Sequence, residues 1–211
     1  MVYEGGPVLA IHRLYGYAVY MSDAALQEHR RWTYADYKDW DLAPGERYEI
    51  INGEAYAMAA PNTSHQSMLM ELARQIANYL SGKSCKVYPA PFDVRLFYEE
   101  DESDDTVVQP DISIICDEKK RGTEGCWGAP DFVVEILSPS NTASEMQTKF
   151  DLYRQAGVRE YWVLDGSKKR LHAYRFEGGK IAAFASYGAD DRAPVGIFSD
   201  LTIEIAPVFA E

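Results

Sequence analysis

Alternation and helical spacing of apolar residues divide the chain into elements. RYEIINGEAYAMA (47–59) alternates on both sides of Asn52-Gly53, the pair that closes a tight hairpin, so two short antiparallel strands are predicted. Upstream, Thr33 caps a short helix, TYADYKDW, that ends before Pro44. Met68, Leu72, Ile76 and Leu80 form a stripe behind a Thr63 or Ser64 start, which predicts a helix to about Leu80 with Gly82 as its stop. Three strand candidates follow: KVYPAPFDVRLF (86–97), TVVQPDISIIC (106–116) and DFVVEIL (131–137). An acidic turn, 99–105, separates the first two, and DEKKRGTEGCWGAP the last two. Ser140-Asn141-Thr142 caps a helix from about Ala143 to Ala156, closed by Gly157. EYWVLD, a hairpin LHAYRF/KIAAFASY across Gly178-Gly179 and a strand near LTIEI complete the pattern. The order predicts an α/β (α+β) fold, a mixed central sheet with helices packed on it.

No repeat, low-complexity tract or Pro/Gly/Ser linker interrupts this pattern. One domain is expected over residues 32–209, behind a weakly organised extension, 1–31, in which either Met1 or Met21 can be the true start. A length of 211 residues suits one full-sized core. No apolar run approaches the roughly 20 residues that span a bilayer. The N-terminal stretch lacks a basic leader and is broken by Glu4, His12 and Arg13, so no signal peptide is expected. Cys85, Cys116 and Cys126 are odd in number and lack tight pair spacing; they read as reduced thiols of a cytoplasmic protein, not as a disulfide or a zinc site. The net charge of −12 argues against a non-specific hold on nucleic acid. The charge is uneven, however. Tyr98–Asp117 carries eight acids and no Lys or Arg, whereas Thr142–Arg175 carries seven bases against four acids. A polyanion would approach the second region.

Two carboxylates fall inside apolar strands. In DFVVEIL, Phe132, Val134 and Ile136 line one face and Val133 and Leu137 the other, so both faces are expected to be buried around Glu135. An unpartnered ionised carboxylate there costs several kcal/mol. Asp111, in VVQPDISII, is the second. Pro110 removes a ladder donor and so marks an edge, a bulge or a strand start, which could re-aim Asp111 into a cleft. If strands 106–116 and 131–137 pair, the two acids converge, and oxygen ligation by two acids and waters suits Mg²⁺ or Mn²⁺. Lys149, on the helix that folds back from Glu135's strand, is the third candidate. It could offset the acids, or it could only pair with Glu145 one turn away.

With YEIINGE, APNTSHQ, PAPFDVRL, VVQPDISIIC, GAPDFVVEILSPSN, the Lys149–Tyr153 helix with AGVREYW, and VLD, the chain closely resembles the Uma2 family of restriction-endonuclease-like proteins, a branch of the PD-(D/E)XK nuclease superfamily. The match runs from about Trp32 to Phe209. The resemblance implies an endonuclease-like core, Mg²⁺ (or Mn²⁺) as cofactor, DNA as substrate and phosphodiester hydrolysis. Pro110-Asp111 matches the motif's PD and Glu135 its (D/E). The superfamily then asks for Lys two residues on, where this chain has Leu137. In this branch the lysine comes from the following helix, at the position of Lys149. Asp111, Glu135 and the Ile136 carbonyl would hold the ion. Glu49 and His65 match motif positions and are accessory candidates, each with a plain structural alternative as edge-strand or first-turn residue. Asp93, which could instead pair with Arg95, and Gln109, which could bind a water or phosphate, are two more. Glu71 and Asp131 are better explained by an exposed helix face and a turn, and Tyr161 and Trp162 by the core.

The leading reading is therefore a metal-dependent DNA endonuclease, as a symmetric homodimer if both strands are cut. The alternative from another class is a nuclease-fold module without turnover, which binds nucleic acid or a partner. A glycosidase with two carboxylates as acid and base is a third reading that neither the spacing nor the resemblance supports.

Overall fold

Asn52 and Gly53 take left-handed backbone (φ 51° and 79°), the geometry that folds a two-residue hairpin. The computed structural model describes residues 31–210, and the proposed extension and its two start positions lie almost wholly outside them. In chain order the elements are α1 (Tyr34–Tyr37), β1 (Tyr48–Ile51), β2 (Glu54–Ala57), α2 (Thr63–Leu80), β3 (Lys86–Pro89), β4 (Asp93–Arg95), β5 (Val107–Val108) and β6 (Ile112–Ile115). They continue with β7 (Gly125–Trp127), β8 (Phe132–Ile136), α3 (Ala143–Ala156), β9 (Glu160–Asp165), β10 (Arg170–Glu177), β11 (Lys180–Tyr187), β12 (Arg192–Pro194), β13 (Thr202–Glu204) and α4 (Ile205–Val208).

The long helices end where their side chains direct. Helix α2 starts at Thr63, as expected, with Asn62 capping it through His65 N–H (2.9 Å), while Thr142 and Glu145 form a reciprocal cap on α3. Gly157 closes α3 in the left-handed region (φ 96°).

Two of the predicted strands are each broken into two. The 86–97 run gives β3 and β4, and the 106–116 run gives β5 and β6, with Gln109-Pro110-Asp111 at the break. The pieces belong to different sheets, because Pro110 cannot donate to a ladder and the chain changes partner there. One sheet runs β11-β10-β9-β8-β6-β3 and the other β2-β1-β5-β4-β7. In the first, β8 and β9 are parallel and β6 is antiparallel to β8, with Ile112 opposite Val134. The short β12–β13 pair and α4 pack beside α2; the strand expected near LTIEI turns helical at Ile205.

Each face of the six-stranded sheet has its own core. Phe132, Val134 and Ile136 meet Met68, Leu72 and Ile76 of α2. Val133, on the opposite face, joins Leu152 and Tyr153 of α3 and the inward residues Ile51, Val94 and Val108 of the five-stranded sheet. One face of helix α3 thus shares a core with both sheets.

The cysteines depart from expectation. Cys85 and Cys116 form a disulfide. Pairing of β3 with β6 sets Lys86 against Ile115, so the next residue on each strand stands face to face across 31 residues of sequence. The argument from reduced thiols to a compartment therefore falls away. Cys126 is free and buried, and burial pushes its thiol up to about 12.

Candidate active site

Glu135 is the fourth residue of β8, and all five residues of that strand are buried. Its side chain points to the α3 face, where Lys149 and Tyr153 stand one helical turn apart. Lys149 Nζ donates to Glu135 Oε1 at 3.1 Å, and Tyr153 OH donates to the same oxygen at 2.5 Å. From the other sheet, alternation in β1 turns Glu49 inward with Ile51. Glu49 Oε1 accepts from Lys149 Nζ at 2.9 Å and from the Gln109 N–H at 2.8 Å. The Lys149 and Glu49 side chains are each 6% exposed and Glu135's 9%, so this is a desolvated acid–amine–acid group. The alternative Lys149–Glu145 pair is not made: Glu145 accepts from Asn141 Nδ2 (2.9 Å) and from the Thr142 N–H.

Asp111 adjoins this group from β6. Continuing the Ile112–Val134 register by one residue sets it opposite Glu135. Asp111 Oδ2 accepts the Ile136 N–H at 2.7 Å, and His65 Nε2 lies 3.2 Å from the same carboxylate. His65 stands on the first turn of α2, fixed there by the Asn62 cap. Asp111, Glu135 and Ile136 therefore form one contiguous patch at the end of β8, with His65 on one side and Lys149 on the other.

The charges do not balance. Burial lifts the Glu135 carboxyl; Lys149 opposes that lift, while Asp111 and Glu49 add to it, and the result is about 7 against an ordinary 4.5. Burial works against the Lys149 ammonium, but Glu135 and Glu49 outweigh it and hold the group protonated well above its usual range. Burial, then the Glu135 charge, keeps the Tyr153 phenol far above its ordinary value, so it acts as a neutral donor. Burial lowers His65, yet Asp111 outweighs it and the net shift is upward.

Among the described residues, no three His, Cys, Asp or Glu side chains converge as a ready-made metal cage. A Mg²⁺-type ion does not require one, since it keeps several waters and takes one or two carboxylates. Asp111, Glu135 and the Ile136 carbonyl supply oxygen donors only. Glu49 and Glu135 share Lys149 while Asp111 lies against His65, so three acids meet two bases and leave negative charge for a divalent ion to offset. The residues fit such an ion.

The other candidates separate cleanly. Gln109 serves Glu49 through its main chain, while its side chain donates to Asp93 Oδ1 (2.8 Å) and to Tyr37 OH (3.2 Å) instead of facing the patch. Asp93 lies on the face of β4 opposite Val94, toward α1. It does not pair with Arg95, which binds Asp104. Glu71 is held by Arg74, and Asp131 accepts the Cys116 N–H and pairs with Arg159. Tyr161 and Trp162 are fully buried core. Tyr153 was not picked out for its chemistry by the sequence, although its position four residues after Lys149 on one helix face is a usable signal.

The protein is thus a mixed α/β protein with carboxylates at a strand end and a lysine from the helix that joins the parallel strands β8 and β9. The chain belongs to the Uma2 family, described as "Putative restriction endonuclease", whose model matches residues 34–206. Two relatives come from Synechocystis sp. (strain ATCC 27184 / PCC 6803 / Kazusa). Uncharacterized protein slr1290 is 25% identical over 158 residues, 74% of this chain and 80% of that one. Uncharacterized protein sll1609 is 25% identical over 151 residues, 70% and 82% of the two chains. The fold is shared with a crystal structure described as a "putative nuclease belonging to DUF820" from Anabaena variabilis ATCC 29413. That likeness has a TM-score of 0.67 at 19% identity and covers 84% of this chain and 97% of the other. Among the described residues, no helix is long and apolar enough to cross a membrane.

Proposed function

We propose that the protein is a Mg²⁺- or Mn²⁺-dependent endodeoxyribonuclease. The observation that carries this reading is the Lys149 ammonium, delivered by the crossover helix to within 3.1 Å of Glu135 Oε1, beside Asp111. Asp111, Glu135 and the Ile136 carbonyl would hold the ion. When bound, it supplies positive charge to the non-bridging phosphate oxygens and acidifies water. The chain's own residues do the rest. Lys149 donates toward the attacking water or the charge that develops on phosphorus oxygens, where positioned donors in a desolvated site act most strongly. Glu49 holds that ammonium from behind. Tyr153 fixes the orientation of Glu135, and His65 that of Asp111. A symmetric pair of chains would address both strands of a duplex.

The test is cleavage of supercoiled, linear and single-stranded DNA with each ion. Asp111→Ala and Glu135→Ala should each abolish cleavage with circular dichroism unchanged. Wild-type protein that cuts none of these forms with either ion would overturn the proposal. One observation favours a second reading, a nuclease-fold module without turnover: Lys149 is already satisfied by Glu49 and Glu135. Calorimetric titration with Mn²⁺ separates the two, because only the enzyme requires binding that depends on Asp111 and Glu135.

A further inference from the structure

Strands β8 and β9 are parallel, with Ile136 opposite Leu164, so they end together at the edge that carries Asp111 and Glu135. The Leu137 N–H donates to Leu164 O (2.8 Å) just beyond. Strand β10 starts back from the same edge, with Arg170 opposite Asp165. The connecting turn, Gly166-Ser167-Lys168-Lys169, therefore stands beside the carboxylate patch. It is also tied to the helix that carries His65. A Cβ on Gly166 would fall 2.7 Å from Met68 Cε, and Met68 follows His65 by three residues on α2.

The turn is built from its own chain. Asp165 Oδ1 accepts from Ser167 Oγ (2.6 Å) and the Lys168 N–H (3.1 Å), and Lys169 takes left-handed backbone (φ 49°). Its basic side chains are left outward. Ser167 through Arg170 are exposed. Lys168 Nζ rests on Asp165 Oδ2 at 2.9 Å with its side chain 75% exposed, a surface pair that holds the lysine only weakly. Lys169 and Arg170 have no ion-pair partner among the described residues. A cavity of about 360 Å³ is lined by these residues together with the Gly188–Asp191 turn.

A chain of net charge −12 repels a polyanion over most of its surface, so substrate must arrive where positive charge is concentrated. Three consecutive bases at the lip of the carboxylate patch meet that need. We propose that the Lys168-Lys169-Arg170 turn is the grip on the DNA backbone, contacting phosphates that flank the one at Asp111 and Glu135. This rests on the nuclease reading above.

The test is fluorescence anisotropy of a labelled DNA duplex titrated with the full chain in Ca²⁺, repeated across KCl concentrations. Replacing Lys168, Lys169 and Arg170 together by Ala should weaken binding about 10- to 100-fold near 50 mM salt. It should also flatten the salt slope by about 2–3, since each phosphate contact contributes roughly 0.9. Lys169→Asn keeps a residue that tolerates the left-handed turn and should flatten the slope by about 1, which preserves the test if the triple variant fails to fold. Variants that fold and bind with wild-type affinity and slope would overturn the grip alone. Wild-type protein that binds no DNA would overturn the grip and count against the nuclease reading with it.

Discussion

Two buried ion pairs lie on opposite sides of the five-stranded sheet, and they are built on opposite principles. On the α1 side, Arg95 is matched to Asp104 by two hydrogen bonds, one of them Nε to Oδ2 at 2.9 Å. A further guanidinium N–H goes to Glu99 O at 2.7 Å. Its flat face lies 3.9 Å from the Tyr34 ring centroid and 4.5 Å from Tyr98. One cation meets one anion, and three of the five guanidinium N–H donors are placed. On the α3 side, Lys149 faces Glu49 and Glu135, and Asp111 stands next to them. The first pair is complete; the second holds more acid than base. Surplus buried charge marks a place that is finished by something else, whereas balanced buried charge marks architecture.

The largest effect should separate the two by stability. Arg95→Ala leaves Asp104 buried without a counter-charge and should cost about 3–5 kcal/mol in denaturant unfolding. Mn²⁺ affinity of the folded fraction should not change. Loss of ion binding in folded Arg95→Ala would mean that the two pairs are one system and would break the comparison.

Lys149→Met tests the other side. Removing one positioned donor should lower cleavage by roughly 100- to 1000-fold. It should also make stability strongly pH-dependent. Glu135 already has a folded pKa raised above its unfolded value, so its contribution is fully present in acid and lost as pH rises through about 7. Without Lys149 that loss should steepen, and the variant should be most stable near pH 5. Equal urea midpoints for Lys149→Met at pH 5 and pH 8 would show that the ammonium does not compensate the acids.

The same carboxyl sets the pH dependence of ion binding. An ion can occupy Glu135 only after its proton leaves. Affinity for Mn²⁺ should therefore fall as pH drops below about 7, by up to tenfold per unit. Calorimetric titration in two buffers of different ionisation heat should report proton release near pH 7 and little near pH 8.5. Proton uptake on binding would contradict the assignment of Glu135.

How much of this was legible depends on distance along the chain. The Asn52-Gly53 hairpin and helices α2 and α3 rest on signals within a few residues, and the chain follows them closely. Pro110 marked a break or strand start within 106–116, but the split of 86–97 and the assignment of each half to a different sheet were not legible, because partners far away decide them. The disulfide was hidden for the same reason, since only the β3–β6 register brings Cys85 to Cys116. Asp111 and Glu135 could be singled out as charges inside apolar strands. Lys149 was different: spacing offered Glu145 as an equal partner, and only the family motif favoured the acids. Glu49 was offered only as a motif match or an edge-strand residue, because its contact with Lys149 needs both sheets to pack against α3. Asp93 shows the converse. Alternation with Val94 in FDVRL made it a candidate, yet its parity in β4 turns it toward Tyr37, away from Lys149.

The smallest change sharpens the comparison most, because it alters one hydrogen bond and almost no volume. Tyr153→Phe removes the donor 2.5 Å from Glu135 Oε1 and leaves the ring packed on Tyr161. That donor favours the ionised carboxylate, so its loss should raise the Glu135 pKa further. The midpoint of the Mn²⁺ pH profile should move upward by less than about one unit. Cleavage at pH 7 should fall a few-fold and recover as pH is raised toward 8.5. A tyrosine that only filled space would lower the melting temperature and leave the midpoint where it was. An unmoved midpoint would therefore return Tyr153 to the core and leave Lys149 as the one residue of α3 that acts on the acids.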